Sequence, residues 1–201
     1  MAKFFTSDWH VGEQATPDTH SFLRSKPTEV LAEEWLEQCH KLLKSDDIFY
    51  ILGDLAVSLD DLSFYARLPK CETIIIFGDK EANDKNFSLN DWRNKMAEGW
   101  GYEGNKNGWH CGSIWEVEVG EHSFCVAHKP EDCMEAALTK PALCGHVHGI
   151  WRTQCMPNGK PIINVGVDAW GGIVSEEMIS HQYDAITKGH YDKNARVDLW
   201  K

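Results

Sequence analysis

The stretch "TIIIFGDKEAND", residues 73–84, decides how the chain is read. A threonine and four apolar residues run without polar interruption, the pattern of a short strand buried on both faces, as in a parallel sheet. Gly78 ends the run and permits a tight turn, so Asp79 and Lys80 stand at the C-terminal end of the strand. In open α/β sheets that edge is where ligands bind.

Four other strands end in a similar way. "FFTS" leads to Asp8-Trp9-His10, "IFYIL" (48–52) to Gly53-Asp54, "FCVA" to His128, and "PALC" (141–144) to Gly145-His146-Val147-His148. Each lends the same edge carboxylates or imidazoles. Alternate residues of an extended segment point the same way, so Asp8 with His10, and His146 with His148, can serve one site as pairs. Asp8, His10, Asp54, Asp79, His128, His146 and His148 together supply three carboxylates and four imidazoles. That is enough for two divalent ions, and the mixture suits Mn, Fe, Zn or Ni better than Mg, with Mn favoured.

Between these strands the sequence alternates with helices. Pro27 opens a helix to about Lys44, with Val30, Leu31, Trp35, Cys39, Leu42 and Leu43 at helical spacing. "SLDDLSFYARL" (58–68) and "SLNDWRNKMAEG" (88–99) read as helices capped by Ser58 and Ser88, and Ser175 caps a last one. "IWEVEV" and "HSFCVA" flank Gly120-Glu121 as a hairpin, and "PIINVGV" (161–167) is a further strand after a turn at Asn158-Gly159. The expectation is an α/β protein, βαβ units first and a more antiparallel part after, forming one domain over residues 1–201.

Composition narrows the functions. A formal charge of −11 argues against gripping an extended nucleic acid by bulk electrostatics, although bound cations would reverse the sign locally. No apolar run reaches the roughly 20 residues of a membrane span. The polar start "MAKFFTSDWH" and seven cysteines without CxxC spacing lead us to expect reduced thiols in a cytoplasmic protein.

In order, "SDWH" (7–10), "LGDL" (52–55), "FGDK" (77–80), "AHKP" (127–130) and "CGHVHG" (144–149) resemble the motif series of the calcineurin-like metallophosphoesterases. "NVGVDAW" (164–170) resembles the closing strand of small bacterial and phage members. The resemblance covers nearly the whole chain. It implies a four-layer α/β/β/α sandwich, two metals sharing a hydroxide, and hydrolysis of a small or nucleotide-like phosphoester by a phosphatase or phosphodiesterase. It implies that Asp8, His10 and His148 hold the first metal, that His128 and His146 hold the second, and that Asp54 bridges. Asp79 stands where the family has an asparagine ligand, and Lys80 where it has a substrate-facing histidine. Lys80, Asp54 and His146 are accordingly the catalytic candidates.

Two departures fall together at Gly78-Asp79-Lys80, and their added charges cancel, which makes a coupled pair an expectation. Lys80 could neutralise phosphoryl oxygens, donate a proton, or turn to solvent and leave the site without a general acid. The last case keeps open an attenuated or non-catalytic binding protein on the same fold. Elsewhere, "GWGYEGNKNGWHCGS" (99–113) could offer aromatics to a base or form a loop pinned by its tryptophans. His20, Arg24 and Arg93 could reach a phosphate or lie solvated.

Overall fold

A computed structural model describes residues 1–16, 23–99, 109–137 and 139–189, without the side chains of 97–99, 109–112 and 136. Two five-stranded mixed sheets organise these residues. The first contains β1 (Lys3–Thr6), β2 (Ile48–Leu52), β3 (Glu72–Ile76), β4 (Trp109–Gly112) and β10 (Val174–Ser175). Its order is β10-β1-β2-β3-β4, with β1 to β4 mutually parallel and β10 antiparallel on the edge. The second contains β5 (Ile114–Val119), β6 (His122–Ala127), β7 (Ala142–Cys144), β8 (Thr153–Cys155) and β9 (Pro161–Asn164), in the order β5-β6-β7-β9-β8. Here β6, β7 and β9 are parallel, while β5 and β8 close the edges antiparallel.

Alternation along these strands builds the core. In the first sheet Phe4, Phe49, Ile51 and Ile75 belong to one apolar cluster, and Phe5, Tyr50, Leu52, Ile74 and Ile76 to another. The first cluster takes Ala32, Trp35, Leu36 and Cys39 from α1 (Thr28–Leu42) and Trp92 and Met96 from α3 (Leu89–Gly99). The second joins the two sheets, because it also holds Val117, Phe124, Val126, Leu143 and Ile163, with Ile179 and Ile186 of α6 (Glu176–Thr187). Cys125, Ala127, Ala142, Cys144 and Ile162 point the other way, into a third cluster with Cys133 of α4 (Pro130–Ala136), Trp151 and Met156. Strands that feed two clusters must be apolar at consecutive positions, which is why "TIIIF" shows no alternation.

Several expectations change in detail. The segment from Ser58 forms a 3-10 helix only from Asp61 to Arg67, although Ser58 Oγ still accepts from the Asp61 amide at 3.4 Å. "PIINVGV" stops as a strand at Asn164, and Val167–Trp170 is a helical turn, α5. The segment 99–113 is not all loop: its last part is the edge strand β4, so its register is set by pairing with β3. Residues 100–108, with their aromatics, and His20 and His190 lie outside the described residues. Cys39, Cys71, Cys125, Cys133, Cys144 and Cys155 are free thiols. No described helix is long and apolar enough to cross a membrane.

Candidate metal centre

The site is assembled from the turns that leave β1, β2, β3, β6 and β7. Five residues other than glycine have positive φ among the described residues: Asp8 (64°), His10 (52°), Asp54 (50°), His146 (70°) and His148 (49°). A left-handed backbone at such a residue costs roughly 1–2 kcal/mol. Strain of this kind persists only where surrounding structure enforces it, and it concentrates at functional sites. The convergence of the two D/H-x-H pairs therefore does not come from extended segments, as the spacing alone implied. It comes from tight turns that aim both side chains inward.

Backbone bonds hold these turns against each other. The Asp8 amide donates to Gly53 O (3.1 Å), the His10 amide to Asp54 O (3.0 Å), and the Gly145 amide to His128 O (2.9 Å). The His146 amide donates to both Asp8 carboxylate oxygens, at 3.1 and 3.0 Å, which links the two sheets directly. At Gly78 a side chain could not be accommodated, since a Cβ would meet the Asp54 amide nitrogen at 2.5 Å. At Gly145 it would collide with Ser7.

Three groups of potential ligands result, each with its donor atoms within 4.8 Å of one another. They are Asp8, His10 and His148; Asp79, His128 and His146; and Asp8, Asp54 and His128, which ties the first two together. Asp54 faces both ways: Oδ2 lies 3.5 Å from His10 Nε2 and Oδ1 lies 3.5 Å from His128 Nε2. His146 Nδ1 stands 3.5 Å from Asp79 Oδ2. These gaps are too long for good hydrogen bonds. They match two donors on one ion, which at bond lengths of about 2.0–2.1 Å sit about 3–3.5 Å apart.

Buried imidazole nitrogens of the cluster lack hydrogen bonds. His10 Nδ1 and Nε2 and His128 Nε2 are buried with no hydrogen bond. Buried polar atoms are rarely left so, because desolvation without a partner is costly. The donor set thus fits divalent cations, and the residues that could hold them are the seven singled out by the strand ends.

The orientation of these rings comes from residues that the strand-end pattern did not flag. Asp168, on α5, accepts from His148 Nδ1 at 2.6 Å and leaves Nε2 facing the site. Arg24 grips Asp168 through Nε (2.9 Å) and a terminal nitrogen (3.0 Å) and also donates to the carbonyls of Asp8 and Trp9. Its guanidinium is therefore committed to the scaffold, not to a phosphate. Burial tends to raise the Asp168 carboxyl, but His148 and Arg24 outweigh it and hold the group below the usual carboxylate range. His128 Nδ1 donates to Leu52 O at 2.6 Å, fixing the ring as a donor through Nε2. Such outer partners are a regular part of metal sites. Asn164 fastens the following turn, donating to the carbonyls of His148 (2.6 Å) and Trp151 (2.8 Å).

Glu81 performs the same service for Asp54. Buried at 1% exposure, it accepts from the amides of Asp54 (3.1 Å), Leu55 (2.8 Å) and Gly78 (2.8 Å). Its carboxyl is pushed up by burial and by the Asp54 charge, and the Leu55 and Gly78 amides pull it partly back. For Asp54, burial is opposed by His128, His10 and the Lys80 amide, which hold the carboxyl below its ordinary value.

Asp79 and Lys80 open the short helix α2 (Asp79–Ala82), and each takes its own partner. Lys129 Nζ lies 2.6 Å from Asp79 Oδ1, and Lys80 Nζ lies 3.0 Å from Glu13 Oε1. Glu13, nearly buried, also faces His10 Nδ1 at 3.5 Å. The added charges are thus not balanced against each other, contrary to the expectation of a coupled pair. Lys80 is not turned loose into solvent either: it pairs with Glu13, the residue that faces His10. Glu13 and Lys129 sit in "HVGE" and "AHKP", where nothing in local spacing marks them.

An α/β architecture with a paired carboxylate–imidazole cluster at the strand ends is the class that fold and site define. No known family model and no curated protein matches the sequence. Among solved structures, a protein of unknown function from Aquifex aeolicus is similar at TM-score 0.65 and 19% identity, over 90% of this chain and 98% of its own. An archaeal phosphodiesterase is similar at TM-score 0.50 and 18% identity, over 85% of this chain and 87% of its own. A phosphopantetheinyl hydrolase from Mycobacterium tuberculosis reaches TM-score 0.44 at 11% identity, over 83% of this chain and 89% of its own. At these identities the likeness to the first two concerns the fold.

Proposed function

We propose that the chain is a metal-dependent phosphoric-ester hydrolase of the calcineurin-like metallophosphoesterase family, a single domain over residues 1–201 with a four-layer α/β/β/α arrangement. The observation that carries this reading is the pair of carboxylate–imidazole groups joined through Asp8, Asp54 and His128, with buried imidazole nitrogens that have no partner. The resemblance of five motifs in order and the fold shared with an archaeal phosphodiesterase support it.

In this reading Asp8, His10 and His148 hold one divalent ion and Asp79, His128 and His146 a second, with Asp54 between them and Mn favoured by the mixed oxygen–nitrogen donors. When bound, such ions supply Lewis acidity toward phosphoryl oxygens and lower the pKa of water. The protein's share is placement. Arg24 and Asp168 keep His148 Nε2 aimed inward, Glu81 holds the backbone of the Asp54 turn while the Lys80 amide holds its carboxylate, and His146 contributes from the partly exposed side where substrate enters. Lys80 Nζ, held near His10 by Glu13, supplies a cation for the transferred phosphoryl group in place of an imidazole. A net charge of −11 gives the chain no broad attraction for a polyanion, which favours a small or nucleotide-like phosphoester over an extended nucleic acid. The free cysteines accord with a cytoplasmic setting.

The test is hydrolysis of chromogenic phosphate mono- and diesters with added Mn²⁺. Turnover is expected, with Asp54→Ala lowering it at least about 100-fold. Absence of turnover that Asp54→Ala cannot reduce overturns the catalytic reading. A second reading, an attenuated or non-catalytic binding protein, is favoured by one observation: Asp79 and Lys80 are both already engaged in ion pairs. Two bound metals per chain with measurable turnover favours the enzyme, and no bound metal favours the binding protein.

A further inference from the structure

The two ligand groups are not equivalent. Asp8, His10 and His148 are all buried, whereas Asp79 and His146 are only partly so. Two members of the first group are fixed from behind: His148 by Asp168 and Arg24, and Asp8 by the His146 amide on both oxygens. In the second group only His128 is fixed in this way, by Leu52 O. The His146 ring meets Asp79 at 3.5 Å and stands edge-on to His128, with ring centroids 5.3 Å apart.

A cation already sits on the second group's carboxylate. Lys129 Nζ lies 2.6 Å from Asp79 Oδ1, and Asn83 Nδ2 donates to the same oxygen at 3.3 Å. Lys129 directly follows His128 and precedes α4, so the turn that delivers one ligand also delivers the competing ammonium. No ammonium or guanidinium nitrogen lies within ion-pair distance of the Asp8 or Asp54 carboxylates among the described residues. The nearest comparable pairing, Lys80 with Glu13, involves a carboxylate outside both groups.

We propose that Lys129 is an internal counter-cation that makes the Asp79–His128–His146 position the weaker, exchangeable metal site, loaded second and only as Lys129 yields Asp79. The inference rests on the dinuclear reading above. Its chemistry is simple competition. An ammonium bonded to Asp79 removes donor charge from that oxygen and repels a divalent ion approaching it. With Lys129 in place the pair Asp79–Lys129 is neutral, so this half of the site attracts a cation no better than an amide would. Lys129 acts through Asp79 and is a positioning residue, not a catalytic one.

The experiment is calorimetric titration of Mn²⁺ into chelator-treated native protein, Lys129→Met and Lys129→Gln, with metal counted per chain at saturation. Native protein should bind one ion tightly and a second at least about tenfold more weakly. Both variants should tighten the second step about tenfold (about 1.4 kcal/mol) and leave the first unchanged, while Lys129→Arg should keep the native pattern. An unchanged or weakened second step in both variants overturns the proposal, as does an equal shift of both steps. If native protein binds no Mn²⁺ at all, the dinuclear reading fails and this one with it. Two equal sites insensitive to position 129 sink the inference alone.

Discussion

His146 shows what the site demands of single residues. It holds φ 70°, a conformation glycine adopts freely and histidine does not. Its ring is partly exposed, so truncation loses limited packing. Comparing His146→Gly with His146→Ala isolates the backbone contribution, since neither keeps the ring. We expect the glycine variant to be the more stable by about 1 kcal/mol in metal-free urea unfolding, with both variants losing metal at the second position. Equal stabilities would mean that the left-handed turn carries no strain. The five left-handed residues are five of the seven predicted ligands, and that coincidence was invisible in the sequence, where D-x-H and H-x-H read as extended spacing. Residue type and order were legible. The conformation was not, because it depends on bonds such as His146 N to Asp8 that join distant segments.

At the scale of elements, the strand ends are held in register by side chains reaching from the next turn. Glu81 of α2 binds three amides from two turns, and no glutamine rotamer can accept all three without setting an NH₂ group against a donor. Glu81→Gln is therefore expected to cost about 1–3 kcal/mol of stability and to weaken metal binding by loosening Asp54. Denaturant midpoints and a metal titration check both, and a variant of native stability would show that the carboxylate is not needed there. The strands themselves were readable: "IFYIL", "TIIIF" and "HSFCVA" carry the apolar density that two-sided burial requires. The short edge strands β4, β8 and β10 were missed, because their residues are mixed in polarity and only pairing with β3, β9 and β1 makes them strands. Asp168, Glu13 and Lys129 were missed as parts of the site, and Arg24 was considered only for a phosphate, for a related reason: each acts through a partner far along the chain.

For the whole molecule, the candidate ligands lie on turns from both sheets, and their mutual charges are confined in a largely buried space. Ions that bind this arrangement and not the unfolded chain must stabilise the fold by mass action. We expect the thermal midpoint to fall on treatment with chelator and to rise again with Mn²⁺ in a concentration-dependent way, by about 2.7 kcal/mol of stability at one hundred times Kd. His10→Ala should abolish most of that increment. A midpoint indifferent to both chelator and Mn²⁺ would place the cluster outside any metal's reach.

The clasp between Arg24 and Asp168 spans 144 positions, and the bond from His146 to Asp8 spans 138. Chain closure over such separations must be endured before any contact rewards it, which slows folding relative to proteins of local topology. A nascent polypeptide growing from its N-terminus could therefore exhibit Asp8 and His10 to the cell long before the partners that discipline them have been synthesised. The cluster cannot close until the segment from His146 to Asp168 has been made.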